Sequence, residues 1–263
     1  LKNSVFPWEV HVTKIKNQII FDLFEKDKVS YIDLLTVNEN TSGNLPEEEK
    51  DMIKLCVEAT NVNKNFITTA ATGPQKSFGE DNPHFKSNEK KVFRYRRWEL
   101  DRIEVVVRSE VDAYLPPKDE NQDLKYVKLC ALNEYELGTD WRGKLENNRG
   151  ALISTECRNN SCKLSRWICQ AFLADIDEVK IAFITRQNQK DASKHSILNV
   201  ESYSLNSLVS MINYKLKDNW AILKGLVEIL GKQEDGEYAL VKQAYKQSIK
   251  IYRIPQKEGE DAQ

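Results

Sequence analysis

Two short strings carry the strongest chemical signal in this 263-residue chain. Glu110-Val111-Asp112 closes an apolar run that begins at Ile103, and Lys128-Leu129-Cys130 lies in the next apolar run. On one strand an acid-x-acid pair puts both carboxylates on the same face, because side chains alternate with period two. Such a pair holds a hard cation beside a phosphate when a neighbouring strand supplies a further oxygen ligand. Here the neighbouring run offers Lys128 instead. An ammonium at that place repels Mg²⁺ and pairs with Glu110 or Asp112. The combination reads as a nucleic-acid-cleaving site that has kept its shape and lost its metal. The competing reading is a surface strand with solvated acids.

Three further groupings bear on nucleic-acid binding. At 100° per residue, Lys163, Arg166 and Gln170 share one stripe of a predicted helix, with Leu164, Ile168, Ala171 and Phe172 opposite and Trp167 at the seam. The stripe is either solvated or in contact with phosphates. In Lys90–Trp98, bases alternate with aromatics: Arg94 and Arg96 share a strand face with Trp98, and Phe93 and Tyr95 face the other way. That suits a groove tracking a nucleic-acid backbone, or equally an edge strand blunted by charge. Finally, Asn61 and Lys64 lie in a polar stretch, 59–66, that reads as a helix end able to reach a base edge or as a plain C-terminal cap.

The elements expected to position these residues are mixed. Short strands are expected within 5–37, and a helix from Pro46 with Met52, Cys56 and Ala59 on its buried stripe. A loop containing Gly73-Pro74, Gly79 and Asn82-Pro83 is expected over 67–91, followed by strands over 91–100, 102–114 and 124–132. A polar interruption then occupies 133–149, where Gly138, Gly143 and Gly150 mark breaks. Beyond it come a strand over 150–155, a helix over 160–174, a strand over 179–186, a long helical region over 204–231 in one or two pieces, and a closing hairpin from 238–241 and 248–254. Strands and helices mix without regular alternation, so the expected class is α+β with one core and no internal repeats.

Composition narrows the field. The chain is 40% apolar and 30% charged with net charge −1, so a soluble protein with a real core is expected, and nucleic-acid binding must come from a local patch. No apolar run approaches the roughly 20 residues that span a bilayer, so no membrane partner is expected. The chain shows no signal peptide and opens at Leu1, and is expected to be a piece of something longer. Five cysteines (56, 130, 157, 162, 169) without CxxC spacing fit reduced thiols in the cytosol. Three scattered histidines (11, 84, 195) suggest no zinc site, and no cofactor or bound metal is expected.

Longer strings carry a resemblance. Val5-Phe6-Pro7-Trp8-Glu9-Val10, Asp33–Glu39, Arg94-Tyr95-Arg96-Arg97-Trp98, Asp140-Trp141-Arg142-Gly143-Lys144-Leu145 and Lys163-Leu164-Ser165-Arg166-Trp167 resemble the cap-binding domain found in the D subunit of eukaryotic translation initiation factor three, over about 5–255. That family is similar to the DXO/Rai-type 5′-end decapping exonucleases. Their acid-x-acid motif matches Glu110 and Asp112. Their Glu-x-Lys motif falls on Lys128 and Cys130, both changed. Their helix motif falls on Lys163, Leu164, Trp167, Gln170, Phe172 and Leu173.

The resemblance implies mixed and antiparallel sheets flanked by helices, in a single cap-binding domain over 1–263 with a DXO-like nuclease fold. It also implies an inserted gate loop at 133–150, carrying Trp141, Arg142, Lys144 and Arg149, and the start of a charged tail at 257–263. The implied function is binding of the mRNA 5′ cap, 7-methylguanosine, by a pseudo-nuclease without enzymatic activity. The implied partners are capped mRNA, the factor's other subunits and the small ribosomal subunit, in the cytoplasm. Glu110 and Asp112 are the expected acids of the pocket. Lys128, Lys163 and Arg166 are expected phosphate contacts, Gln170 and Asn61 polar contacts, and Lys64, Arg94 and Arg96 further RNA contacts. Trp98, Trp141 and Trp167 are candidate stacking rings. The alternatives are a Mg²⁺-dependent decapping nuclease and a scaffold that docks the factor's other subunits.

Overall fold

The computed structural model describes residues 7–22, 35, 37, 51–73, 92–117, 119, 123–135 and 138–255. Their contacts group into two compact units, where the sequence suggests one core: unit 1 takes residues up to 34 and from 215 onward, and unit 2 takes 35–214. The helix expected from Pro46 starts at Met52, because Asp51 is extended and its carboxylate caps Ile53 N and Lys54 N; Pro46 itself, the loop residues 74–91 and the charged tail at 257–263 lie outside the described residues.

In unit 1, strands β1 (Trp8–Ile15) and β2 (Gln18–Asp22) form a hairpin, and β9 (Gly236–Lys242) and β10 (Ile249–Arg253) form another. They pair as one antiparallel sheet in the order β10-β9-β1-β2. Val12, Tyr238 and Leu240 of this sheet bury against Leu230 of α6 (Leu216–Gly231). Lys14 is buried and its ammonium bonds Asp235 at 2.9 Å, which neutralises it inside the sheet.

In unit 2 the sheet runs β5-β6-β7-β8, from β5 (Ala113–Leu115), β6 (Lys125–Asn133), β7 (Glu178–Arg186) and β8 (His195–Tyr203). β6 and β7 are parallel and the other pairs antiparallel. A parallel pair needs a long crossover, usually helical. Here it holds α2 (Trp141–Asn147), α3 (Arg149–Asn159) and α4 (Ser161–Ala174). The strand expected over 150–155 is therefore part of α3, and the expected loop over 133–149 contains α2.

Both β6 and β7 are covered on their two faces, so they read as near-continuous apolar runs, and a lysine inside β6 must be paired. Against them packs α1 (Met52–Ala70), which places Val62 and Phe66 on Val127, Leu129, Ala131, Ala182 and Ile184. Each such large side chain contributes about 1.5–3 kcal/mol by leaving water. A separate two-stranded hairpin, β3 (Val92–Leu100) with β4 (Ile103–Val111), packs on α4. The last helix of this unit, α5 (Leu205–Met211), ends the unit near Tyr214, whose hydroxyl meets the Cys169 thiol at 2.9 Å.

Candidate nucleic-acid site

β4 ends at Val111, and Asp112 occupies the bend before β5 rather than continuing the strand. The two acids therefore part company. Glu110 stays at the exposed rim, while the Asp112 side chain is 4% exposed. The reason lies in the edge of β6. Because β5 pairs only with residues 125–127, the backbone N–H groups further along β6 need other acceptors. Asp112 Oδ2 accepts from Leu129 N at 2.8 Å, and Asn63 Oδ1, on α1, accepts from Ala131 N at 2.9 Å. Two side chains thus continue the ladder that β5 abandons, and they fix how Lys128 and Cys130 are presented.

The Lys128 ammonium lies 3.0 Å from Asp112 Oδ2 and 3.3 Å from Oδ1. Burial opposes its charge, but the Asp112 carboxylate outweighs burial, with help from Glu110, and the lysine is held above its usual range. A divalent cation does not fit this donor set. Asp112 already serves an ammonium and a backbone N–H, and the site lacks the oxygen ligands that a hard cation needs. Among the described residues, no three His, Cys, Asp or Glu side chains are grouped to hold a metal ion.

Of the two readings of the Lys163 stripe, the structure rules out a solvated Lys163. It is 2% exposed and faces the interior of unit 2 with Leu164, Trp167 and Ile168. α4 is covered by the hairpin on one side and bordered by α3 and α5, so even Ser165 is buried. The Lys163 ammonium lies 5.9 Å from the Trp167 ring, and no described residue accepts a hydrogen bond from it. Burial pulls its pKa down to about 8, with Glu156 acting the other way. Burial also pushes the Cys130 and Cys56 thiols up, so both stay protonated and unreactive. Glu156 is buried on α3 and accepts from Asn160 Nδ2 at 2.8 Å. Beyond the Lys128–Asp112 contact, Lys163 and the buried Glu156 influence each other's charge within an apolar surround.

Other expected contacts lie elsewhere. Arg94 and Arg96 point inward to the end of α4. Arg94 donates to the Ala174 and Asp175 carbonyls at 2.8 and 2.9 Å and covers the Tyr126 ring at 4.2 Å, and Arg96 pairs with the Asp175 carboxylate. This satisfies helix-end carbonyls and sets cations at the negative end of the dipole. It also leaves these two arginines committed to structure. Asn61 and Lys64 lie within α1, which runs on to Ala70, and both are exposed. Gln170 is exposed on α4, and Arg166 is half-buried on the same helix. The three candidate stacking rings are engaged in the interior: Trp98 stacks on Phe172 at 4.9 Å, Trp141 meets Phe183 edge-on at 5.6 Å, and Trp167 lies beside Lys163.

In the 133–150 segment, Glu134 Oε1 accepts from Thr139 Oγ1 and Trp141 N, each at 2.8 Å, which ties the start of α2 to the end of β6. Asp140 takes a left-handed conformation and caps α2 through Gly143 N at 3.1 Å. A Cβ at Gly143 would stand 2.4 Å from Asp140 Oδ2, so this glycine serves close approach rather than looseness. Arg142 and Lys144 are exposed, and Arg149 pairs with Glu201 on β8.

A second buried network leaves no mark in the sequence pattern. Glu58 on α1 accepts from Arg186 Nε and Nη2, at 2.8 and 2.6 Å, and meets His195 Nε2 at 2.8 Å. Burial disfavours the Glu58 charge, yet these bonds win and hold its carboxyl below the usual range. The network clamps α1 to β7 and β8, and so steadies Asn63.

The family described as eukaryotic translation initiation factor 3 subunit 7 (eIF-3) matches residues 1–253. The D subunit of eukaryotic translation initiation factor 3 from Homo sapiens is 35% identical over 269 residues, covering 96% of this chain and 48% of that protein. The Arabidopsis thaliana counterpart is 36% identical over 264 residues, covering 96% and 44%. The chain therefore spans about half the length of the curated relatives it matches. Among solved structures, Scheffersomyces stipitis Rai1 shares the fold with a TM-score of 0.57 at 16% identity, over 96% of this chain and 64% of that one. The same protein in complex with (3'-NADP)+ and calcium ion gives 0.56 at 16%, over 95% and 61%. On the match of residues 1–253, the chain belongs to the D-subunit family of eukaryotic translation initiation factor 3.

Proposed function

We propose that this chain is an mRNA 5′-cap-binding module of the initiation factor, working in the cytoplasm with the factor's other subunits and the small ribosomal subunit, and that it has no nuclease or decapping activity. The observation that carries the reading is the Asp112–Lys128 pair at 3.0 Å. Where a phosphoester-cleaving site needs carboxylates around cations, this chain places a fixed ammonium that binds anions and hydrolyses nothing. Rai1, which shares the fold, was solved with a calcium ion, and Lys128 supplies positive charge without one.

In this reading the buried Lys163 meets a cap phosphate, an acceptor that no described residue supplies. Glu110 at the rim complements the positively charged 7-methylguanine. Arg166 and Gln170 on α4, with Asn61 and Lys64 on α1, line the approach. The segment 133–150 acts as a gate with Arg142 and Lys144 on its open side. Arg94 and Arg96 support α4 and touch no RNA. Calorimetric titration with 7-methyl-GTP and with GTP tests the proposal. The methylated nucleotide should bind at least about tenfold tighter, a difference of about 1.4 kcal/mol. Equal binding of the two, or none, overturns it.

A further inference from the structure

α2 is held to unit 2 at its two ends by different chemistry. At its start, Glu134 Oε1 takes Trp141 N and Thr139 Oγ1, and the Trp141 ring is buried against Phe183. That end is fixed by burial and by neutral donors. At its far end, Asn148 closes α2 and opens α3 through its backbone, donating to the Lys144 carbonyl at 2.8 Å and accepting from Leu152 N at 3.2 Å, but its side chain caps neither helix, so no side chain of Asn148 ties that junction to the sheet. The next residue, Arg149, pairs with Glu201 of β8, and Asn199 of the same strand bonds the same carboxylate oxygen. Between the two ends, Arg142, Lys144, Glu146 and Asn147 are all exposed.

The two partners differ in access. The Arg149 side chain is 51% exposed and that of Glu201 13%. The carboxylate is sheltered and held by its strand, while the guanidinium stays within reach of anions in solution. We infer that the Arg149–Glu201 pair is an electrostatic latch: it holds the far end of α2 down, competing anions release it, and α2 then swings about the anchored Glu134–Trp141 end. The latch rests on reading 133–150 as a gate, and it names which end opens and what opens it. A phosphate backbone is such an anion, so the ligand class proposed for the site also releases the segment.

Hydrogen exchange of the α2 amides, measured on the free protein, tests this without cap or RNA. Glu201→Gln and Arg149→Gln should each speed exchange over 142–147 by about two- to fivefold, the worth of a partly exposed ion pair. The double variant should be no faster than either single one, and exchange in β7 should stay unchanged. Raising sodium chloride should speed the wild-type α2 amides by a similar factor and leave both variants unmoved. Wild-type exchange in both variants, or equal salt response in all three proteins, overturns the latch. If α2 loosens as expected while capped RNA enters and leaves both variants at wild-type rates, the latch stands and the gate reading fails.

Discussion

Replacing Lys163 by methionine should make the protein more stable and a poorer binder. A buried charge with no hydrogen-bond acceptor lowers stability, and its pKa reports the size of the penalty. Lys163 falls from 10.5 to about 8, a drop of about 2.5 units. At 1.36 kcal/mol per unit this is on the order of 3 kcal/mol carried by the folded state at neutral pH. Methionine fills similar volume and needs no partner. Loss of the Trp167 contact subtracts about 0.5–1 kcal/mol. Lys163→Met should therefore gain roughly 2 kcal/mol near pH 7.

The pH dependence follows from the sign of the shift. The folded pKa lies below the unfolded one, so between about 8 and 10.5 the unfolded chain binds more protons. The Lys163 penalty disappears as pH rises through that window, and the advantage of the variant should shrink towards zero. Urea unfolding of both proteins at several pH values from about 7 to 10 gives the difference directly. Binding of 7-methyl-GTP should weaken by about tenfold or more, since a buried charge-assisted bond is lost. A variant less stable than wild type, or a stability difference independent of pH, refutes the reasoning. The same burial means that Lys163→Glu unfolds unit 2 rather than leaving the core unaffected.

The remaining predictions concern the supports of the site. Asp112→Asn should cost about 3–5 kcal/mol by leaving Lys128 buried without its counter-charge, and adding Lys128→Met should restore most of it, a strong non-additivity read in a urea-unfolding double-mutant cycle. Because Lys128 is held above 10.5, its contribution is complete below that value and fades as pH rises through the folded pKa. Arg94→Ala should destabilise unit 2 by about 2 kcal/mol through two lost carbonyl bonds and the Tyr126 contact, while changing capped-RNA affinity and its salt slope little. A large drop in salt slope would return Arg94 to the RNA.

Period-two runs mark β3 and β4 to within a few residues, a continuous apolar run marks β6, and the 3.6-residue stripe marks α4, because burial on one face or on both writes those patterns into the chain. What stays hidden has physical reasons. β8 is masked by the irregularity between Phe183 and Ile184, which shifts its register so that Ile197 and Val200, three residues apart, both face out. α2 is only seven residues long and buries one side chain, too little for a period. The acid pair is legible, but not the bend at Asp112 that parts it, because the bend answers to unpaired N–H groups on another strand. Residue type alone puts Lys163 on a polar stripe, since it does not say that α4 is covered on several sides. Asn63 is inconspicuous within its Asn-rich stretch, although an asparagine inside a helix, where it is a poor former, is a signal worth following.

The central claim is that a fixed ion pair replaces a metal at a site that still binds capped RNA. Its most direct test is one titration of wild-type protein with capped RNA and with the same RNA bearing a 5′ triphosphate, each with Mg²⁺ and with EDTA, followed by sizing of the RNA. The account predicts at least about tenfold preference for the capped end, the same Kd in Mg²⁺ and EDTA at matched ionic strength, and intact RNA throughout. Equal affinity for both ends, or binding or cleavage that depends on Mg²⁺, contradicts it.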